Sequence, residues 1–373
     1  MRIGENQRMN IERLLKKVAD LDASDLHLKV GRKPFVRIKT VLKEMSDEEV
    51  LTRKDTEDYA LSIMNDNQKK LFLEQMEMDL ATENPQTGRF RVNVFRQRGN
   101  VGIVMRRIKS FIPSFEELGL PAVLANISDS QTGLVLIAGP TGCGKSTTLA
   151  AMIEYINQSR QALHIITIED PIEFVYTDKN CLINQREVGL DTLTFHDALK
   201  RVLREDPDII LIGELRDPET FEAAIRACET GHLVFSTLHT VDTLTTINRI
   251  LDFFPQDQHD MIRKILAYNL KATCCQRLLP KKDGTGMLPA CEIMVVTPII
   301  SRLILEDNLG KIPSAISADK ETGMQTFNQH LVKLINEGKI TKETGFEASP
   351  APHALEMNLR GIYLDEDTRI IGE

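Results

Sequence analysis

The hydrophobic pattern of this chain changes character part-way along. Short alternating runs dominate the first hundred residues, and continuous apolar runs separated by helical patterns follow from Leu134 onward. In the first part, Ile11, Leu14, Leu15, Val18 and Leu21 fall on one face, which predicts an amphipathic helix from Met9 to Asp22. Leu26-His27-Leu28-Lys29-Val30 and Phe35-Val36-Arg37-Ile38 alternate, as half-buried strands of an antiparallel sheet do. Residues 56–72 return to a helical period. Arg89-Phe90-Arg91-Val92-Asn93-Val94-Phe95 and Val101-Gly102-Ile103-Val104-Met105-Arg106 then read as paired strands. Alternation sets Arg89, Arg91 and Asn93 on one face and Phe90, Val92 and Val94 on the other.

From residue 134 the pattern predicts parallel strands over 134–138, 164–168, 209–212 and 233–236, with helices starting near 145, 193 and 218. Beyond Asp257 the period reads as helical, apart from a strand candidate at 289–296. Short closing helices are expected over 324–334 and 341–348, and the stretch after Pro350 predicts no element. The fold class is therefore α/β, with a smaller N-terminal α+β domain over 1–108. A linker over 109–122, carrying Pro113 and Pro121, leads to a core over 123–373 with a helical C-terminal region.

Length and composition narrow the class. A chain of 373 residues is long enough for about two or three domains, and 42% hydrophobic with 27% charged residues is ordinary for a globular protein. No apolar run reaches the roughly 18 residues of a membrane span, and Met1-Arg2-Ile3-Gly4-Glu5-Asn6-Gln7 lacks the apolar core of a signal peptide, so a cytoplasmic location is expected. Six cysteines stand at 143, 181, 228, 274, 275 and 291 with no C-x-x-C pair, which suggests reduced, buried thiols rather than zinc or disulfides. A net charge of −8 argues against a nucleic-acid partner.

One stretch carries a specific chemistry. Leu134-Val135-Leu136-Ile137-Ala138 runs into Gly139-Pro140-Thr141-Gly142-Cys143-Gly144-Lys145-Ser146-Thr147-Thr148, and a helical pattern follows. Strand, glycine-rich loop and helix in that order, with G-x-x-x-x-G-K-[ST] spacing, imply a phosphate-binding loop. Its amides and the positive end of the helix would hold the polyphosphate of ATP. Lys145 would reach the β- and γ-phosphates, and the Ser146 hydroxyl would ligate Mg²⁺. Gly139, Thr141, Gly142, Cys143, Gly144, Lys145, Ser146 and Thr147 are the expected nucleotide-binding residues.

Two acidic clusters end strands of the same expected sheet: Thr167-Ile168-Glu169-Asp170-Pro171-Ile172-Glu173 and Ile209-Ile210-Leu211-Ile212-Gly213-Glu214. Strand-end carboxylates in an open parallel sheet line the ligand crevice. Glu214 occupies a Walker-B position and would act on Mg²⁺ through water, while Glu169 would orient or activate the attacking water. The order of these two roles is open. A competing reading makes Glu169, Asp170 and Glu173 a helix-start cluster around Pro171. His232 and His239 flank an apolar strand seven residues apart, so they face opposite sides and cannot ligate one ion. They are read either as satisfied polar groups or as γ-phosphate sensors or subunit contacts. Arg91, Arg96, Arg106 and Arg107 either solvate a strand face or act as arginine fingers on domain closure.

The residues at 167–173, 209–214 and 231–240 resemble the Asp box, the glycine-bearing Walker B and the His box of the type II/type IV secretion ATPase superfamily. Within it, Cys181-Leu182-Ile183-Asn184-Gln185-Arg186-Glu187-Val188-Gly189, Leu203-Arg204-Glu205-Asp206-Pro207-Asp208 and Ala23-Ser24-Asp25-Leu26-His27-Leu28 are similar to the twitching-motility ATPases of the PilT/PilU family. The resemblance runs from about residue 9 to residue 348. It implies a PAS-like N-terminal domain on a RecA-like P-loop NTPase core, and a homohexamer in which one subunit's N-terminal domain packs on the next subunit's core. Arg91 and Arg106 are then the fingers, and an inner-membrane pilus platform protein is the partner of a motor peripheral to that membrane. Cys143 stands where the family usually has Ser. Pro298-Ile299-Ile300-Ser301-Arg302-Leu303-Ile304-Leu305-Glu306-Asp307 replaces the PilT-type A-I-R-x-L-I-R-E motif and looks more like PilU. That departure opens a second reading, an accessory ATP-binding ring that reinforces a paralogous retraction motor. The lack of a cysteine quartet argues against the assembly and secretion ATPases. A DNA-translocating RecA-type motor is the third reading, disfavoured by the acidic charge.

Overall fold

Alternating runs in the first hundred residues pair into one six-stranded sheet. Its strands are β1 (Asp25–Lys29), β2 (Phe35–Ile38), β3 (Val41–Glu44), β4 (Glu77–Asn84), β5 (Gly88–Gln97) and β6 (Asn100–Arg107), in the spatial order β3-β2-β1-β6-β5-β4. Every pairing is antiparallel. The computed structural model describes residues 4–39, 41–158, 162–319 and 321–362. Two compact units divide the chain: Met1–Phe111 with Ile172–Val175, and Ile112–Pro171 with Tyr176–Glu373.

In the first unit, Leu26, Leu28, Val36, Val92, Val94, Ile103 and Met105 share a buried cluster with Ile11, Leu14, Leu15 and Val18 of the helix Gly4–Asp20. Leu21 does not join that face and is 48% exposed, because the helix ends at Asp20 and the chain turns through Asp22 at φ 46°. The single helix expected over 56–72 is two, Arg53–Ile63 and Asp66–Gln75. Asn65 breaks the run: its side chain accepts from Gln68 N–H, and the Gln68 side chain returns the contact, so a capping box starts a new helix inside an apolar period. Strands β3 and β4 have no counterpart in the predicted elements. Both lie at sheet edges, and all four residues of β3 are exposed, so the alternation that marks a half-buried strand is missing there.

The second unit is built on β7 (Gly133–Ala138), β8 (His164–Glu169), β9 (Leu182–Glu187), β10 (Ile209–Ile212), β11 (Leu233–Leu238), β12 (Leu270–Pro280) and β13 (Met287–Val295), ordered β13-β12-β7-β11-β10-β8-β9. All neighbours are parallel except β12 and β13. β7 is buried on both faces: Leu134 and Leu136 join one cluster, and Val135 and Ile137 join another. Continuous apolar runs are what a parallel sheet covered by helices on both sides requires. The helices Phe195–Val202 and Pro218–Glu229 cover one face, and Lys145–Gln158 covers the other.

β12 falls where the sequence predicts helix. It follows the helix His259–Asn269 with no turn residue between them, so the apolar period runs on unbroken. The helices expected over 324–334 and 341–348 are Phe327–Asn336 and Lys342–Ala348, each entered through a threonine cap, Thr326 and Thr341. Past Pro350 a further helix, Pro352–Leu359, does form: proline stands in its first turn and Leu355 is fully buried. No helix starts at Pro171, which removes the cap reading of Glu169, Asp170 and Glu173. The six cysteines are free and buried.

Candidate active site at the strand ends

The loop after β7 is shaped by what a side chain would strike. Gly139 has φ 150°, and a Cβ there would lie 2.4 Å from Cys143 Sγ and 2.6 Å from the Gln276 carbonyl oxygen. Only glycine fits. The chain then turns through Gly142 and Gly144 and enters the helix at Lys145. Lys145 is buried, and its Nζ donates to the carbonyls of Gly139 at 2.8 Å and Pro140 at 3.2 Å. Thr141 and Gly142 are exposed, Cys143 is buried, and Gly144, Ser146 and Thr147 are half-buried. Burial pushes the Cys143 thiol up, so it stays protonated and the residue serves through its backbone.

Gln276 braces this loop. It lies one residue beyond the pairing of Cys275 on β12 with Ala138 on β7, and it is 1% exposed. Its Nε2 donates to the Cys143 carbonyl at 2.6 Å, and its Oε1 accepts from Thr148 Oγ1 at 2.9 Å. A buried amide with both ends used ties the loop at Cys143 to the first turn of the helix at Thr148.

The acidic groups meet the loop from the neighbouring strand ends. Thr141 Oγ1 is 3.5 Å from His239 Nδ1, and the other ring nitrogen, Nε2, is 3.4 Å from Glu214 Oε1. Glu214 Oε2 accepts from Arg216 Nε at 2.8 Å, and Arg216 Nη1 stands 3.7 Å from Asp170 Oδ2. The hydrogen bond to Glu214 raises the Arg216 pKa above its ordinary value, so this guanidinium stays charged. One chain of polar contacts thus crosses the ends of β7, β11, β10 and β8. Glu169, the last residue of β8, accepts at Oε1 from Thr167 Oγ1 at 2.6 Å and from Gln185 Nε2 at 3.2 Å. Gly213 seats the two acidic segments together: its N–H donates to the Ile168 carbonyl at 2.8 Å, and a Cβ would come within 3.3 Å of that oxygen.

The structure separates the two histidines. His239 belongs to the contact chain, whereas His232 stands at the opposite end of β11, where its Nδ1 lies 2.9 Å from the Ala227 carbonyl and 3.1 Å from Thr230 Oγ1. Arg91 and Arg106 lie in the first unit, directly opposite one another on β5 and β6. Arg216, Gln276, Thr167 and Gln185 were not among the expected site residues. Gln276 left the clearest trace, a polar residue inside the apolar run Ala272-Thr273-Cys274-Cys275-Gln276, but it matters only once β12 is known to pair with β7.

The model of the type II/IV secretion system protein family matches residues 7–292. The chain belongs to this family. The type IV pilus retraction ATPase PilT of Pseudomonas aeruginosa is 46% identical over 344 residues, which is 92% of this chain and 99% of PilT. PilU, a type IV pilus ATPase of the same organism, is 39% identical over 360 residues, 96% of this chain and 94% of PilU. The crystal structure of the pilus retraction motor PilT with bound ADP superposes with a TM-score of 0.85 at 45% identity, over 92% of this chain and 98% of that one.

For this family member the site residues fit a nucleotide. The glycine-lined loop, the buried lysine at its base and the helix start at Lys145 are the parts that a phosphate cradle requires. Among the described residues, no three His, Cys, Asp or Glu side chains gather as a self-sufficient metal site.

Proposed function

We propose that this chain is an Mg²⁺-dependent ATPase and the subunit of a homohexameric motor that drives type IV pilus retraction. The observation that carries the reading is the chain of contacts Thr141–His239–Glu214–Arg216–Asp170, which ties the phosphate-binding loop to both acidic strand ends. Lys145 and the loop amides at 141–147 hold the phosphates, and Ser146 and, through water, Glu214 would hold Mg²⁺. A bound Mg²⁺ would supply neutralisation of phosphate charge there. Glu169, oriented by Thr167 and Gln185, positions the attacking water. His239, between Thr141 and Glu214, senses whether the γ-phosphate is present. Arg91 and Arg106 belong to the N-terminal domain, which the family resemblance makes PAS-like, and close over the nucleotide of a neighbouring subunit.

The motor works in the cytoplasm against an inner-membrane platform protein; among the described residues no helix is long and apolar enough to cross a membrane. The accessory-ring reading draws on residues 298–307, which include the helix Pro298–Leu305 and lack the PilT-type motif. Steady-state Mg-ATP hydrolysis by the purified chain, with its mass in solution, tests both. Hexamers whose turnover disappears with Lys145→Ala support the autonomous motor. Hexamers that bind ATP and barely turn over support the accessory ring, and a monomer in all nucleotide states overturns both.

A further inference from the structure

Four residues form one cross-strand row on the sheet of the first unit: Arg37 on β2, Asp25 on β1, Arg106 on β6 and Arg91 on β5. Three are cations, and the carboxylate among them is 2% exposed. Asp25 Oδ1 accepts from Arg106 Nε at 2.8 Å, and Oδ2 accepts from Ser24 Oγ at 2.7 Å, with Arg37 Nε at 3.7 Å. Burial disfavours the Asp25 charge, yet the Ser24 and Arg106 hydrogen bonds and the Arg106 charge outweigh it and hold the carboxyl below its ordinary range. The carboxylate is therefore a fixed anion at neutral pH.

Arg106 has the opposite character, with a side chain 71% exposed. A long exposed arginine samples many rotamers, and little holds its guanidinium plane in place. Here the grip falls on Nε, the nitrogen nearest the stem. A guanidinium held at Nε keeps its terminal nitrogens, Nη1 and Nη2, as a fork for a planar or tetrahedral oxyanion. A contact made for stability alone would gain as much from a terminal nitrogen.

We propose that Asp25 is a positioning residue: it grips Arg106 through Nε so that the Nη1/Nη2 fork meets the phosphates of the nucleotide held by a neighbouring subunit. This rests on the arginine-finger reading of Arg106 given above. Asp25 touches no substrate and acts only through Arg106. Its effect is then on turnover, through misplacement of a group that matters in the transition state, and not on ground-state binding of ATP.

The test is steady-state ATP hydrolysis by the full chain carrying Asp25→Asn, Arg106→Ala, both together, or Arg106→Lys. Arg106→Ala should lower kcat about 10³-fold. Asp25→Asn, which keeps the shape and loses the charge, should lower kcat about tenfold or more with KM within about twofold. The double variant should be no slower than Arg106→Ala, because Asp25 has nothing left to position. Full turnover by Asp25→Asn beside an impaired Arg106→Ala overturns the positioning role and leaves the finger standing. Full turnover by Arg106→Ala overturns both. A double variant slower than Arg106→Ala, or a raised KM as the main effect, assigns Asp25 to the fold and overturns the proposal. Should Asp25→Asn fail to fold, Arg106→Lys decides: it keeps the charge without Nε, so near-normal turnover overturns the proposal and loss close to that of alanine supports it.

Discussion

Replacing Gln276 with leucine removes the brace behind the phosphate-binding loop without changing side-chain length much. The Cys143 carbonyl loses its donor and the Thr148 hydroxyl its acceptor, both in buried surroundings. Each buried polar group left without a partner costs about 1–3 kcal/mol, so the pair comes to about 3 kcal/mol. For a unit of this size that lowers the melting midpoint by about 6–12 °C. Half of the cost falling on the loop's phosphate-binding shape is about 1.4 kcal/mol, a tenfold loss in ADP affinity. Thermal melting with and without Mg-ADP, beside titration with a fluorescent ADP analogue, measures both quantities. Gln276→Glu should be worse than leucine, because a carboxylate oxygen then faces the Cys143 carbonyl where an N–H stood. A leucine variant that melts early yet binds ADP with unchanged affinity would refute the argument that Gln276 orders the loop.

Other expectations follow from single contacts. Gly139→Ala should abolish nucleotide binding, since its Cβ would sit 2.4 Å from Cys143 Sγ; retained ADP binding by titration would count against the loop geometry. Cys143→Ser should leave KM for ATP within about twofold in steady-state assays, because the residue serves through its backbone. His330 is 4% exposed, accepts from Cys291 N–H at 2.9 Å, and is pushed by burial down to about 4. Its pKa is lower folded than unfolded, so the unfolded chain binds the extra proton and stability falls as pH drops through 6.5 toward 4. Between pH 7.5 and pH 5 this amounts to about 2 kcal/mol, and His330→Gln should melt with a correspondingly weaker pH dependence over that range.

The parts of this fold that were legible in the sequence are those whose signal is local. β7, β10 and β11 are apolar runs buried on every residue, and the loop after β7 has a spacing that almost nothing else explains. Glu169, Glu214 and His239 were legible as strand-end residues, because they lie at or just beyond the ends of β8, β10 and β11. What escaped was relational. Arg216 matters because Glu214 and Asp170 lie on either side of it, and Gln276 because β12 pairs with β7, and no local pattern shows either. His232 and His239 are alike in sequence, and only the direction of β11 tells the sheet's ligand end from its far end. The break at Asn65 was legible in principle, because Asn65 and Gln68 have capping-box spacing, but the apolar period across it was the stronger signal.

The spatial neighbours of β7 have a consequence for how the protein is made. The strand is finished at Ala138, but β11 begins at Leu233 and β12 at Leu270. At about 5–20 residues per second, the ribosome takes on the order of 5–20 s to deliver the first flanking strand and longer for the second. Throughout that interval β7, buried on every residue in the finished sheet, has neither of its flanking strands to pair with. The glutamine that completes its loop, 133 residues beyond Cys143, comes later still. Bound nucleotide should therefore not stabilise this unit of a nascent chain until Gln276 has been made. Stalled or truncated products ending before residue 276 should expose unpaired strand edges and lack the Gln276 brace on the phosphate-binding loop.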